Sequence, residues 1–145
     1  MLAEEIDFHK IFRIHPTSMA LLTADLEFID ANDELLESSG RQLGDVVGKN
    51  MFAVFPKMPY QPGCPKWTAI EEAQATGKKF TSALSRYDIE DPAHPGVFRE
   101  RYWSTIVTPI RGDDGRIEVI EVSAREVTEI IDQFRALGPE PDEPS

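Results

Sequence analysis

The chain has 145 residues, of which 41% are hydrophobic, and this length and composition predict one globular domain with a buried core. Its formal net charge of −11 argues against nucleic acids and anionic membranes as partners, because a protein this acidic would repel a polyanion. The single cysteine, Cys64, excludes an internal disulfide and a cysteine-rich zinc site, while the acidic N-terminus and the lack of a long apolar run predict a soluble, cytoplasmic protein.

The N-terminal part of the chain predicts a helix followed by two short strands. Apolar residues recur at near-helical spacing over residues 4–14, and Pro16 disfavours the helical conformation at His15. Residues 20–23 and 27–31 are then typical of two strands joined by a tight turn. We therefore expect an amphipathic helix that ends before the sheet begins.

Short helices are expected after the second strand. Asn32 is a suitable N-cap for a helix that Gly40 would end. Residues 41–47 predict one more helical turn, and residues 51–55 form an apolar cluster.

A proline-rich stretch leads into a longer helix. Prolines occupy every third position from Pro56 to Pro65, a period that matches polyproline II and would suit a proline-reading domain. We favour the alternative interpretation of a stiff connecting loop. Pro65 suits the first position of a helix that Gly77 ends, and residues 79–89 predict a third strand before a loop over residues 91–96.

The strongest local pattern is a long antiparallel hairpin between residues 98 and 128. Two runs rich in β-branched and aromatic residues flank Asp113-Asp114-Gly115, and an Asp-Gly pair between such runs predicts a tight turn. Alternation along the first arm defines two faces: Arg99, Arg101, Trp103, Thr105 and Val107 on one, and Tyr102, Ser104, Ile106, Thr108 and Ile110 on the other. The aromatic character of Trp103 favours a position lining the core. The arginines on the same predicted face favour the alternative, in which Trp103 points outwards.

The C-terminal part predicts a helix and a tail. Residues 126–137 regain helical spacing, with a cap expected at Thr128 or a neighbour, and residues 138–145 form an acidic, proline-containing tail that we expect to be disordered. The element order predicts an α+β fold with one five-stranded antiparallel sheet.

Short motifs in a characteristic order span residues 8–129. They are Pro16-Thr17-Ser18-Met19, Ile29-Asp30-Ala31-Asn32, Ser39-Gly40, Val46-Val47-Gly48-Lys49, Gly77, Arg101-Tyr102-Trp103 with Pro109, Asp114-Gly115 and Glu126-Val127-Thr128. Together they make the chain resemble a PAS domain, a family that has Asp where Glu126 stands. The resemblance implies short helices on one face of the sheet, with an N-terminal helix (1–15), a PAS domain (16–128), a C-terminal signalling helix (129–137) and the tail.

The resemblance implies a sensor that binds a small molecule between the sheet and the short helices. The large residues nearest to where the family places its pocket are Phe52, Phe55, Trp67, Ile70, Leu84, Tyr87, Tyr102 and Trp103, with Arg86 as a possible partner for an anion. The alternative is that these side chains only fill the core. The resemblance also assigns signal transmission to Glu126, Val127 and Thr128, where the last strand becomes a helix.

Several chemistries of the family are not expected here. Covalent flavin photochemistry needs a cysteine after Asn50, where this chain has Met51, and attachment of a cinnamoyl thioester needs one after Pro56, where it has Lys57. Haem-binding relatives carry an axial histidine on the helix before the third strand, and residues 67–76 contain none. Neither a metal-ligand set nor a catalytic constellation is predicted, so we expect a protein that is not an enzyme and leave any cofactor unknown.

Self-association is expected from the apolar terminal helices, which would otherwise expose much apolar surface. The N-terminal residues Ile6, Phe8, Ile11 and Phe12 would form the interface of a homodimer. The sequence contains no recognisable output segment, so a histidine kinase or another output domain would act in trans or lie outside this chain. The competing hypothesis is a dimerisation or docking domain with a filled core and no ligand.

Overall fold

The computed structural model describes residues 1–56 and 65–138. Its helices are α1 (Phe8–Ile14), α2 (Asp33–Ser39), α3 (Leu43–Val46), α4 (Met51–Val54), α5 (Pro65–Thr76) and α6 (Thr128–Ala136), preceded by a 3-10 turn at Ala3–Glu5. Its strands are β1 (Ser18–Leu22), β2 (Phe28–Ala31), β3 (Phe80–Arg86), β4 (Ile89–Glu90), β5 (Phe98–Arg99), β6 (Tyr102–Arg111) and β7 (Ile117–Glu126). Most of the proline-rich loop and the tail after Gly138 lie outside the described residues, so both expectations remain predictions.

Five antiparallel strands form the main sheet in the order β2-β1-β7-β6-β3. The long hairpin is β6–β7, and its turn closes where the Gly112 amide donates to the Arg116 carbonyl at 2.9 Å. Pairing of β1 with β7 places Ser18 opposite Ala124, so the chain enters and leaves the sheet at the same end. The predicted α+β architecture with five antiparallel strands is confirmed.

A second, two-stranded sheet was not predicted. The expected strand 79–89 ends at Arg86, and Ile89 instead pairs with Arg99 in a separate short ladder of β4 and β5. The intervening loop packs on the end of α2, because a Cβ built on Gly40 would lie 2.6 Å from Cγ of Pro92. Gly40 also has a φ of 65°, so this position needs glycine both for its backbone conformation and for the space.

One face of the main sheet is buried beneath α2–α5. The inward-facing residues are Ser18, Ala20, Leu22, Ser82, Ser85, Trp103, Thr105, Val107, Ile120, Val122 and Ala124, all of which are buried. The outward orientation considered for Trp103 is wrong, since this side chain is only 5% exposed. That orientation was inferred from Arg99 and Arg101, which the alternation placed on the same face as Trp103. Arg99 belongs to β5 and Arg101 precedes β6, so neither arginine lies on the strand that carries Trp103.

Asn32 joins the start of the sheet to the first short helix, and its side chain has no exposed surface. Its Oδ1 accepts from the amides of Met19 (2.9 Å) and Leu35 (3.2 Å), so the predicted N-cap is confirmed. Its Nδ2 donates to the carbonyls of His15 (3.2 Å) and Thr17 (2.8 Å). One amide therefore satisfies backbone groups from three segments.

The N-terminal helix is shorter than predicted. Asp7 caps α1 by accepting from the Lys10 amide at 3.0 Å, so the helix begins at Phe8 and not at residue 4. The helix is held at the edge of the sheet by Arg13, whose guanidinium donates to the carboxylate of Asp30 at 2.9 Å and to the carbonyl of Ala31 at 2.8 Å. In the described part of the chain no helix is both long and apolar enough to span a membrane.

Candidate functional site

Trp103 lies at the centre of the candidate site. Its indole Nε1 donates to the carbonyl of Tyr87 at 2.9 Å, and the Tyr87 hydroxyl donates to the carbonyl of Pro56 at 2.9 Å. The Tyr87 ring packs edge-on against Trp67, with ring centroids 5.3 Å apart, and against Phe55 at 6.5 Å. The aromatic side chains therefore form one connected cluster that fills much of the space beneath α4 and α5.

A cavity of about 30 Å³ remains between this cluster and α2. Its walls include Ser18, Ala20, Leu35, Met51, Trp103 and Ala124. A void that holds a water needs at least about 10–15 Å³ by this measure, so the cavity has room for two or three water-sized groups. It admits a small group, and a cofactor the size of flavin or haem would require the core to open.

The residues that the sequence predicted for the pocket are dispersed. Phe55 and Trp103 line the cavity, whereas Phe52, Trp67 and Ile70 belong to the core beneath the helices. Two of the predicted pocket residues face away from the cavity, since Leu84 is 49% exposed and Tyr102 contacts α6 outside the core. Neither side chain can line the cavity, because outward-facing strand positions do not reach the interior.

Arg86 does not face the cavity either. Its guanidinium forms two hydrogen bonds of 3.0 Å with the carboxylate of Asp88, and this bond holds the pKa of Arg86 above its usual range. A guanidinium engaged in this way is poorly placed to bind an anion.

The cavity walls that the sequence did not predict are mostly small residues. Ser18, Ala20 and Ala124 form part of the wall on β1 and β7, and Leu35 faces them from α2. Small side chains leave space where large ones would fill it, so a search for bulky residues misses them. The alternation of β1 and β7 already placed them inward, and small size at inward positions was the available signal.

Three hydroxyls lie buried on the neighbouring part of the sheet. Thr105 pairs with Ser82 across β6 and β3, and Ser85 pairs with Trp103 beyond a bulge in β3. The side-chain oxygens of these three residues are buried and have no hydrogen-bond partner among the described residues. Each such hydroxyl costs about 1–3 kcal/mol, so this row gives the inner face an unmet capacity for hydrogen bonds.

A surface groove of about 420 Å³ opens directly beside the cavity. Four residues border both spaces: Ser18, Ser38, Trp103 and Ala124. The charged residues that line the outer part of the groove are Glu34, Arg101, Arg125 and Glu126. Arg125 follows the inward-facing Ala124 on β7, so its side chain lies on the outer face of the sheet.

The junction of β7 with α6 is held by the first residue of β6. The Val127 amide donates to the Tyr102 carbonyl at 2.8 Å, and the Tyr102 amide donates to Oγ1 of Thr128 at 2.9 Å. Thr128 therefore does not cap α6, whose N-cap, Val127, makes no side-chain bond. The three residues predicted for signal transmission thus meet the strand that carries Trp103, and Glu126 pairs with Arg101 at 3.1 Å.

The side chain of Tyr102 extends this contact along α6. The Arg135 guanidinium lies 5.3 Å from the centre of the Tyr102 ring and donates to its hydroxyl at 3.2 Å, while that hydroxyl also contacts Glu100. The helix is therefore anchored to the sheet at its first turn and again near its end.

The four residues predicted for a dimer interface differ in exposure. Phe8 is 62% exposed, and Ile6 and Ile11 are also exposed, whereas Phe12 is half-buried and stacks against His9 at 6.3 Å. Ile130 and Phe134 on α6 are exposed as well. Both terminal helices therefore present apolar residues to the surroundings.

One carboxyl on the outer face of the sheet has a perturbed pKa. Burial raises the pKa of Glu121, although the Ser123 hydroxyl that donates to it and a charge on His15 both act in the opposite direction. Glu121 lies between Leu21 of β1 and Thr108 of β6, at the middle of the sheet. Its environment therefore disfavours the ionised form.

Asp91 shows the opposite effect. Hydrogen bonds from the Ala93 amide and from Arg99 hold the pKa of the Asp91 carboxyl below its usual range. The ionised carboxylate thus stabilises the loop between β4 and β5.

Within residues 1–56 and 65–138, no three His, Cys, Asp or Glu side chains form a group that could hold a metal ion. Cys64 lies outside these ranges, and His9, His15 and His94 are exposed. The predictions of no metal site and no catalytic site remain predictions.

Comparison with known proteins gives the fold. A family model described as PAS fold matches residues 15–130. Among solved structures, the chain is similar to an RNA-binding light-oxygen-voltage receptor, at 16% identity and a TM-score of 0.66 over 90% of this chain. This chain spans only 35% of that receptor.

This chain covers most of the length of two other similar structures. One is the PAS domain of a protein from Colwellia psychrerythraea, at 15% identity and a TM-score of 0.66, covering 84% of this chain and 95% of that one. The other is a sensory box sensor histidine kinase from Vibrio cholerae, at 20% identity and a TM-score of 0.54. The match covers 83% of this chain and 88% of that one. A search of curated proteins found no match. At these identities the structural similarity establishes the fold.

Proposed function

Because the chain belongs to the PAS fold family, we propose that it is a sensory module that binds a small molecule beside Trp103 and passes its state to a partner protein. The observation that carries this proposal is the cavity of about 30 Å³ between the sheet and α2. Its walls combine apolar side chains with serines, which is the composition typical of a small-molecule site. A void of this size costs roughly 0.7 kcal/mol in an otherwise well-packed core.

A short route connects the cavity to α6. Trp103 forms part of the cavity wall, and the adjacent Tyr102 makes both backbone contacts to the start of α6. A ligand that displaces Trp103 would therefore shift Tyr102 and, through it, Val127 and Thr128. We infer that the partner reads the position or stability of α6.

The partner would be an output domain such as a histidine kinase, supplied in trans or lying outside this chain. One of the similar solved structures is a sensor histidine kinase, which supports this class of partner. We also infer a homodimer through the exposed apolar residues of the terminal helices.

Native mass spectrometry of the protein purified from its original host tests ligand binding. The wild-type protein should carry an additional mass that Ala124→Leu removes, because the larger side chain occupies the cavity. Ala83→Leu is the matched control, since Ala83 is exposed on β3 and its replacement leaves the cavity intact. A wild-type protein without any additional mass, at ligand concentrations that preserve weak complexes, would contradict the proposal.

A ligand-free dimerisation domain is the second candidate. The connected aromatic cluster, which leaves only a small cavity, favours it, as do the exposed apolar residues Phe8, Ile11 and Phe134. Sedimentation velocity tests the self-association that both candidates include: Phe8→Ser combined with Ile11→Ser should dissociate the dimer, whereas Val97→Ser, also at an exposed position, should not. The mass-spectrometry result above then distinguishes a sensor from a ligand-free domain. A wild-type monomer at high concentration would contradict self-association in either case.

A further inference from the structure

The described residues that line the cavity beside Trp103 are all uncharged. The apolar ones are Ala20, Leu35, Met51, Phe55, Ile89, Trp103, Val122 and Ala124, and the polar ones are Ser18, Ser38 and Ser39. A charged ligand would lose its hydration here without gaining an opposite charge, so the walls disfavour carboxylate, phosphate and ammonium groups. The cavity therefore suits a neutral molecule that is mostly hydrocarbon.

Ser18 provides a hydrogen-bond donor on the sheet side of the cavity. It faces inward in the alternating pattern of β1 and is only 8% exposed. Its Oγ has no hydrogen-bond partner among the described residues. A hydroxyl can donate one hydrogen bond and accept others, so a ligand oxygen in the cavity can accept a hydrogen bond from Ser18.

The serines of α2 provide acceptors on the facing wall. Leu35, Ser38 and Ser39 share one face of α2, because residues three and four positions apart are neighbours on a helix. Both serine hydroxyls donate to the Leu35 carbonyl, at 3.3 Å from Ser38 and 2.7 Å from Ser39. A hydroxyl whose proton is used in this way keeps lone pairs that can accept a hydrogen bond. This wall therefore favours a ligand group that donates.

We propose that the cavity binds a short-chain alcohol no larger than ethanol. An alcohol hydroxyl can accept from Ser18 and donate to Ser38 or Ser39, whereas a carbonyl or a nitrile can only accept. The cavity has room for two or three water-sized groups, and ethanol has three non-hydrogen atoms. This assignment names the ligand class for the proposed sensory function and rests on that function.

The test is a titration of the full chain with ethanol, followed by two-dimensional ¹H–¹⁵N NMR. A ligand of this size binds with a Kd on the order of 1 mM at best, so the titration extends to about 200 mM. We expect saturable shifts at the amides of Ser18, Leu35 and Ala124, which line the cavity. The amides of Gly112 and Gly115, in the hairpin turn at the far end of β7, should show no saturable shift.

Two analogues with the same number of non-hydrogen atoms test the hydrogen bonds and the charge. Acetonitrile accepts a hydrogen bond but donates none, so it should bind about threefold or more weakly than ethanol. Ethylammonium is charged, so it should bind about tenfold or more weakly. Butan-1-ol is more apolar than ethanol but should bind no more tightly, because its chain exceeds the cavity.

Three results would overturn the proposal. Equal binding of ethanol and acetonitrile would mean that no donated hydrogen bond is recognised. Affinity that increases from ethanol to butan-1-ol would indicate general apolar association instead of a site of this size. A titration without saturable shifts would mean that water alone meets the hydrogen-bonding capacity of Ser18.

A pair of variants locates the site. Ser18→Ala removes the donor and should weaken ethanol binding about threefold or more. Ser104→Ala is the matched control, since Ser104 lies between the inward-facing Trp103 and Thr105 on β6 and so faces away from the cavity. Equal weakening by both variants would contradict the assignment. The analogue comparisons use only the wild-type chain, so they hold even if Ser18→Ala fails to fold.

Failure here differs from failure of the sensory function. If ethanol does not bind, but native mass spectrometry finds another bound molecule that Ala124→Leu removes, the alcohol assignment is wrong and the sensory function is supported. If neither method finds a ligand, both proposals are wrong. Saturable ethanol binding that Ala124→Leu abolishes supports both.

Discussion

Replacing Thr105 with valine should stabilise the domain. Thr105 has no exposed surface, and its hydroxyl has no hydrogen-bond partner among the described residues. A buried hydroxyl without a partner costs about 1–3 kcal/mol, and valine has nearly the same shape without that hydroxyl. We therefore expect the free energy of unfolding to rise by about 1–2 kcal/mol, which corresponds to a midpoint temperature higher by roughly 3–8 °C for a domain of this size.

Urea unfolding followed by tryptophan fluorescence measures this change. If the slope of the free energy of unfolding against urea concentration is the same for both proteins, only stability has altered. Thr108→Val is the matched control, because Thr108 lies on the same strand but on the half-buried outer face, where the change should stay within about 0.5 kcal/mol. The reasoning is refuted if Thr105→Val destabilises the protein while Thr108→Val does not. That result would mean that the Thr105 hydroxyl has a hydrogen-bond partner in solution.

Three further predictions concern the sheet and its attachments. Burial raises the pKa of Glu121, so Glu121→Gln should increase stability at pH 7. This advantage should disappear as the pH falls through the raised pKa towards the ordinary value of 4.5. Equal gains in stability at pH 7 and pH 4 in urea unfolding would contradict the prediction. Asn32→Ala should cost about 3–4 kcal/mol in a thermal melt because four backbone groups lose their partner. Asn32→Asp should also destabilise the protein, because its second carboxylate oxygen would face the carbonyls of His15 and Thr17 without a proton to donate, and an unchanged melt for either variant would contradict the role of Asn32. Arg13→Gln should speed amide exchange in α1 while leaving β7 protected, and unchanged exchange in α1 would show that Asp30 does not hold the helix.

Much of the fold followed from local patterns in the sequence. The Asp114-Gly115 turn predicted the β6–β7 hairpin, and Asn32 and Gly40 predicted both ends of α2, because each residue acts through its own backbone or its immediate neighbours. The β4–β5 ladder could not be predicted in this way. Its strands have two residues each, too few to show alternation, and they form through long-range pairing between Ile89 and Arg99.

The candidate site was less predictable than the fold. Trp103 and Phe55 were identified because large aromatics are conspicuous, but the cavity depends on small residues such as Ala124, whose importance arises only from what they leave empty. Arg86 was expected to be available for an anion, and its engagement by Asp88 depends on the turn of chain after β3. A side chain's availability is a property of its neighbours in space, which spacing along the sequence does not specify.

The pairing of β1 with β7 determines how the domain would respond to tension. Because Ser18 lies opposite Ala124, α1 and α6 are attached at the same end of two adjacent antiparallel strands. A force that separates the two helices therefore acts across the interstrand hydrogen bonds and breaks them one after another, starting at Ser18. Strands loaded from opposite ends would resist with all their bonds at once. The sheet should thus open from its helix-bearing end at low force, beginning at Ser18 and Ala124 where the groove meets the cavity.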